Sequence, residues 1–258
     1  VRPFHWMVAL LDSEVIPVEA NDVKSGNVTR GHRFLGSQTI TIPSAEAYVK
    51  TLEENFIIVD VEKRRALIRE QIEALGKKAG GHTAISEDLL DEVTYLVEYP
   101  TALCGSIDDK YLKLPKEAVI TPMRDHQRYY PVRKEDGSLM PYFLTVRNGG
   151  DRAIRNVQIG NERVLRARLD DAKFFFDGDR RKSLEGHREA LSRINYQEGM
   201  GTMLDKSDRL VKLVEAIGED WNFTDTEKAD VRRAAYLSKS DLATGMVTEF
   251  TELQGEMG

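Results

Sequence analysis

The residues of this 258-residue chain whose types could do chemistry are five histidines, one cysteine and several groups of arginines. His5, His32, His82, His126 and His187 are dispersed. No two lie three or four positions apart, so no helix can present two imidazoles to one metal ion, and none is followed by Asp. Cys104 is alone, which excludes an internal disulfide and a cysteine-built zinc site. Its neighbours, TALCGSI, read as a buried strand holding an inert thiol. There is no G-x-x-x-x-G-K-[ST] loop. Gly199-Met200-Gly201 lacks a preceding strand and a third glycine, and reads as a turn between helices. No set of nucleophile, base and orienting group can be assembled, so no catalytic residue and no metal site is assigned.

Arginines carry the remaining signal. Net charge is −6, which argues against a chain coated in nucleic acid. Local reversals of sign remain. Residues 24–33 hold Lys24, Arg30 and Arg33 with no acid. Residues 124–134 hold Arg124, Arg128, Arg133 and Lys134 against Asp125 alone. On a helix, NERVLRARLDDAKFFF (161–176) places Leu165, Leu169, Ala172 and Phe176 on one face. Arg163, Arg166, Asp170 and Lys173 fall on the other, with Phe174 among them. Such a face can dock phosphate or carboxylate groups and offer an aromatic ring. The alternative is a solvated face on a helix that frays before Phe174.

The elements that position these residues follow from periodicity. FHWMVALL, a DSE turn and VIPVEA suggest a hairpin, and RFLGSQTITIP a further strand. Ser44 is expected to cap a helix over SAEAYVKTLEEN, and FIIVD to form a short buried strand. Asp60 caps a helix with Val61, Ile68, Ile72, Leu75 and Ala79 on its apolar face, ended by Gly80-Gly81. Ser86 caps another, with Leu89, Leu90, Val93, Leu96 and Val97 inside, closed by Pro100. TALCGSI and PYFLTVR are strands, and EDG is the turn between YYPVRK and SLMPYF. From about residue 151 the pattern is helical throughout, with a Thr224/Glu227 capping box, an Asp205/Arg209 pair, and Met203, Leu210, Val214 and Ile217 on one face. The fold class is α+β, with an α+β domain over 1–177, a boundary at Gly178 and an all-α domain over 178–258.

Composition, 41% hydrophobic and 31% charged, is that of a soluble globular protein. No run approaches the roughly 20 apolar residues that span a membrane, and VRPFHWMVALLDSE has no basic flank before a long apolar stretch. The expectation is a cytosolic protein, its start at Val1 a cut inside a longer chain.

TRGHRFLG, DHQRYYPV, NERVLRARLDDAKFFF, EGMGTMLDKSDR, LSKSDLATGMVTEF and ELQGEMG, in this order, closely resemble the glycyl-tRNA synthetase beta subunit, the partner chain of the bacterial two-subunit enzyme. The resemblance covers essentially the whole chain and implies an internal fragment of that subunit. It implies an enzyme of two alpha and two beta chains, in which the alpha subunit makes glycyl-adenylate with ATP and Mg, and the beta subunit binds tRNA(Gly) and supports glycyl transfer. The fragment alone is then not catalytic and needs no cofactor of its own. The resemblance further implies that the first part has the editing-module fold of the phenylalanyl-tRNA synthetase beta chain, and that the second begins an HD-type helical domain. Within the matching motifs it makes Arg30, His32, Arg33, Arg124, Gln127, Arg128, Arg163, Arg166, Arg168 and Lys173 candidates for binding tRNA or the alpha subunit.

Three other readings compete. A metal-dependent HD-type phosphohydrolase needs His-Asp ligands, which are missing. A hydrolytic proofreading module would act near His32 or Asp125, although the smallest amino acid gives little need for it. A structural bridge would use its basic islands on protein alone. Leu237-Ser238-Lys239-Ser240 echoes a synthetase lysine loop but lies in a helical pattern without the partner motif, and is read as coincidence.

Overall fold

The structure, a computed structural model, describes residues 4–258; Val1, on which the reading of the chain's start depends, lies outside them. The fold is α+β, and the chain forms two compact units. One takes the chain through Ile107 together with Gln127–Arg163. The other takes Asp108–His126 with Val164–Gly258. No single cut separates them, and Gly178 lies in the last turn of the helix Ile154–Asp179.

The first unit opens with short strands: β1 (Met7–Val8), β2 (Leu10–Leu11), β3 (Glu14–Val15), β4 (Glu19–Ala20), β5 (Val23–Gly26), β6 (Val28–Thr29) and β7 (Ile40–Thr41). β2 and β3 form the hairpin expected at DSE. β5 pairs with β1 and β4, and β6 with β7. RFLG is not a strand. Residues 33–36 turn tightly, because their backbone groups bond within the loop, to His32 and Gln38, while Asn55 takes the amides of His32 and Ser37 on either side. Helix α1 (Tyr48–Glu53) starts later than expected, since Ser44 Oγ accepts from Ala47 N in a turn ahead of it. FIIVD forms no ladder: Phe56 lies in a turn at φ 61°, and the buried Arg64 guanidinium takes the Ile58 and Val59 carbonyls.

α2 (Val61–Lys78) is capped by Asp60, which accepts from Lys63 N at 3.1 Å. α3 (Glu87–Leu96) follows Ser86, whose side chain makes no capping bond. Both helices cover an antiparallel sheet of β8 (Pro100–Ser106), β9 (Tyr130–Arg133) and β10 (Leu139–Asn148), in the order β8-β10-β9. Leu144 stands opposite both Cys104 and Tyr130. Ile68, Ile72, Leu90, Val93, Val132 and Leu144 form the core between helices and sheet. Removing such aliphatic surface from water is the main stabilising term. Pro100 starts a strand instead of closing a helix. Leu96, expected inside, is 62% exposed because α3 ends there and the chain turns extended at Val97.

In the second unit α4 (Lys116–Thr121) runs into one π-turn, Pro122–His126. α5 (Ile154–Asp179) buries Leu165, Leu169 and Ala172, and continues through Phe174 and Phe176 without fraying. α6 (Leu184–Arg188) leads to a small hairpin of β11 (Asn195–Gln197) and β12 (Gly201–Thr202), so NYQ is a strand after all, turned back through Glu198 and the positive-φ Gly199. α7 (Met203–Asp220) packs on α8 (Asp225–Leu237), and α9 (Gly245–Glu249) completes the helices. The Asp179 carboxylate, in the last turn of α5, accepts from Gly245 N and Met246 N at 2.8 Å each, which clamps the start of α9. On α7, Ile217 is 42% exposed, so its apolar face is only partly covered.

Capping boxes start both α7 and α8. Thr224 Oγ1 accepts from Glu227 N at 3.3 Å, and Glu227 Oε2 accepts from Thr224 N at 2.8 Å. Thr202 and Asp205 repeat the pattern, so the Asp205 carboxylate caps the helix rather than ion-pairing with Arg209, whose charge acts on it only at a distance. The amide and hydroxyl donors of each threonine hold both carboxyls below their usual pKa. A depressed carboxylate contributes stability above its unfolded pKa, about 4, and loses it as pH falls through the folded value. Thr224→Ala is expected to cost about 0.5–2 kcal/mol. Glu227→Gln should melt below the parent at pH 7 and converge with it at strongly acid pH. An equal gap at both pH values would remove the charge from the cap's account.

Candidate nucleic-acid interface

The motif TRGHRFLG folds as a pinned loop. His32 N donates to Asn55 O at 2.9 Å, Gly36 N to His32 O at 2.9 Å, Gly31 N to Ser37 O at 2.8 Å and Ser37 N to Asn55 Oδ1 at 3.2 Å. Its two glycines are required by close approach. A Cβ on Gly36 would stand 2.4 Å from Asn55 O and 2.7 Å from His32 N, and one on Gly31 2.9 Å from Asn55 Cβ. His32 is buried at 1% exposure, its Nδ1 accepting from Phe34 N at 3.3 Å. It therefore supports the loop from beneath. The side chains it throws outward are Arg30, Arg33 and Phe34, the last 76% exposed.

These residues border an open pocket of about 830 Å³ in the first unit. Trp6 lies on it, its indole N–H donating to Thr29 Oγ1 at 3.0 Å and its ring carrying the Arg30 guanidinium at 4.8 Å. Tyr95 and Leu96, at the end of α3, form another side. Among the described residues nothing hydrogen-bonds or ion-pairs with the Arg33 side chain. A guanidinium in water beside exposed aromatic faces can take a phosphate and a stacked ring together.

The other candidates are placed differently. Arg124 is exposed and pairs with the adjacent Asp125 at 2.7 Å. Arg128, at φ 58°, pairs with Glu92 at 2.7 Å, and Gln127 beside it is half-buried. The basic island at 124–134 is thus partly neutralised by an acid distant in sequence. On α5, Arg168 reaches Glu249 at 3.5 Å and Lys173 pairs with Asp177 one turn on. Asp170 turns out to be engaged inward: the buried Tyr111 hydroxyl donates to it at 2.6 Å and Lys110 at 3.1 Å. Those donors hold its carboxyl below the usual range. Arg163 and Arg166 are exposed and make no hydrogen bond or ion pair among the described residues, although the charge of Arg166 also acts on Asp170. Phe174 is 73% exposed, as the polar-face assignment requires.

Sequence reasoning missed Trp6 and Tyr95. Trp6 falls in the apolar run FHWMVALL and Tyr95 on α3, and only the pocket joins them to Arg30 and Arg33. The other ionisable groups are local. Half-buried Cys104 has its thiol pKa raised, by burial first and by the Glu162 charge second. His126 stacks on Phe250 and lies 3.7 Å from Glu252, and His187 Nε2 lies 3.0 Å from Asp179 O. Among the described residues no three or more His, Cys, Asp or Glu side chains are grouped to hold a metal ion, and no helix is long and apolar enough to cross a membrane.

Comparison with known proteins bears on the same motifs. A family model described as glycyl-tRNA synthetase beta subunit matches residues 1–258. The glycine–tRNA ligase beta subunit of Clostridioides difficile (strain 630) is 52% identical over 257 residues, covering 100% of this chain. That of Moorella thermoacetica is 50% identical over 257 residues, and that of Ligilactobacillus salivarius 45% over 258, again over 100% of this chain. The chain spans 37% of the length of each of these relatives. With a family model matched from end to end and relatives near half identity, this chain belongs to the glycyl-tRNA synthetase beta subunit family.

Proposed function

We propose that this chain is the part of a glycine–tRNA ligase beta subunit that holds tRNA(Gly) and docks the alpha subunit, in a cytoplasmic enzyme of two alpha and two beta chains. ATP and Mg are then used by the alpha subunit, and this part carries no catalytic residue of its own. Its first part corresponds to the editing-module fold and residues 178–258 to the beginning of an HD-type helical domain. The observation that supports the reading best is that the candidate guanidiniums of Arg33, Arg163 and Arg166 are exposed and have no hydrogen-bond or ion-pair partner among the described residues, on a chain of net charge −6. Unpaired positive charge on an acidic protein favours a polyanion at a limited surface over general adsorption. Arg33 is held on a pinned loop and the other two on one long helix, so the backbone under each charge is ordered before binding and only side-chain freedom is lost.

Arg33→Glu tests this. The residue is exposed and its side chain has no partner among the described residues, so stability is expected to stay within about 0.5 kcal/mol of the parent. Affinity for tRNA(Gly), measured by filter binding from low to high salt, should fall, and the slope of log affinity against log salt should shrink by about one. Unchanged affinity at every salt would remove Arg33 from the interface. Unchanged tRNA affinity with weaker assembly of the tetramer would assign it to the alpha subunit.

A further inference from the structure

We propose that the pocket of the first unit accepts an unpaired nucleotide, its base among the aromatic side chains and its phosphate on the arginines. This deepens the tRNA reading above and rests on it. Three aromatic side chains stand open around one cavity: Trp6 at 42% exposure, Phe34 at 76% and Tyr95 at 72%. Exposed rings gathered at a concave site mark a binding surface rather than scatter. Arg30, lying over Trp6, and Arg33, whose side chain has no partner among the described residues, supply positive charge at the same place.

The class of ligand follows from the one acid present. Glu98 also lines the pocket, with only a long hydrogen bond at 3.4 Å from Asn148 Nδ2 to its Oε2. A phosphate alone, or an acidic peptide, would meet the arginines but bring this carboxylate no donor. A nucleotide satisfies both signs, since its phosphate meets the guanidiniums while an amino or imino N–H of its base donates to the carboxylate. A base inside a duplex is covered on both faces by its neighbours and cannot reach the rings without leaving its stack. The occupant is therefore a single-stranded stretch of RNA, and the pinned loop at 30–36 fixes one wall before it arrives.

The chain has two tryptophans, so a Trp221→Phe background leaves Trp6 as the sole reporter. Two RNA hairpins of identical stem are titrated against it, one blunt and one with a four-nucleotide single-stranded 3′ tail. The tailed hairpin is expected to change Trp6 emission and to bind at least about 10-fold tighter than the blunt one. Phe34→Leu and Tyr95→Leu, which keep apolar bulk but remove the ring, should each reduce that preference by about 5-fold or more. Glu98→Gln should alter which base is preferred in the tail. Equal affinity for both hairpins would overturn the proposal in favour of phosphate contact alone. A tail preference that leaves Trp6 silent and survives both leucine variants would also overturn it, while the tRNA reading stands. Displacement of the tailed hairpin by an oligoglutamate peptide at similar concentration would make this a protein-docking site. If neither hairpin nor whole tRNA binds the chain, both readings fall together.

Discussion

Leu169→Ala is expected to destabilise the second unit by about 2–5 kcal/mol, whereas Arg163→Glu, six residues earlier on the same helix, should leave stability within about 0.5 kcal/mol. Leu169 has no exposed surface, and neither do Leu165 and Ala172 on its face of α5. Truncation there loses the transfer free energy of the side chain and leaves a cavity that rigid neighbours fill incompletely. Arg163 is exposed and has no acidic partner among the described residues, so reversing its charge breaks no bond seen there. Denaturant titration of both variants measures the contrast, and tRNA affinity of the assembled enzyme measures the consequence. An Arg163→Glu chain that unfolds would make the arginine structural, and one that binds and assembles normally would return this face to plain solvation.

The second large effect is at Gly36. Its missing side chain leaves room for Asn55 O and His32 N, both backbone atoms that cannot swing aside. Gly36→Ala must therefore move the loop, which is expected to cost about 1–3 kcal/mol, as overpacking does in other tight sites. The displaced segment carries Arg33 and Phe34, so affinity for single-stranded RNA should fall together with stability. Gly160→Ala is the matching control. Gly160 lies inside α5 with nothing within 4 Å of a Cβ, so this change should stabilise the helix by about 0.5–1 kcal/mol. Thermal melts and RNA titrations of the two variants should move in opposite directions in stability, with binding lost only for Gly36→Ala. If Gly36→Ala melts and binds like the parent, the loop is not pinned as its hydrogen bonds require.

The sequence by itself determined those features whose cause lies within a few residues. The Asp60 cap, the end of α2 at Gly80, the Thr224/Glu227 box and the buried stripe of Leu165, Leu169 and Ala172 each depend on a local hydrogen bond or on helical spacing. The strands around Cys104 and Leu144 were legible for the same reason, being apolar runs bounded by turns. The family was legible because several motifs recur together and in order. What only the tertiary structure decided depends on partners distant in the chain. FIIVD has the composition of a strand, but Arg64 and not a neighbouring strand takes its carbonyls. RFLG alternates too weakly to outweigh Asn55, whose carbonyl and side chain claim the loop's amides from 18 residues or more away. His32 shared a basic motif with two arginines, yet burial made it a support and left the arginines in solvent. Trp6 and Tyr95 are 89 positions apart, and no local pattern couples residues at that separation. Periodicity reports which face of an element is apolar, whereas a binding pocket is made by side chains from several elements, whose meeting is fixed by packing.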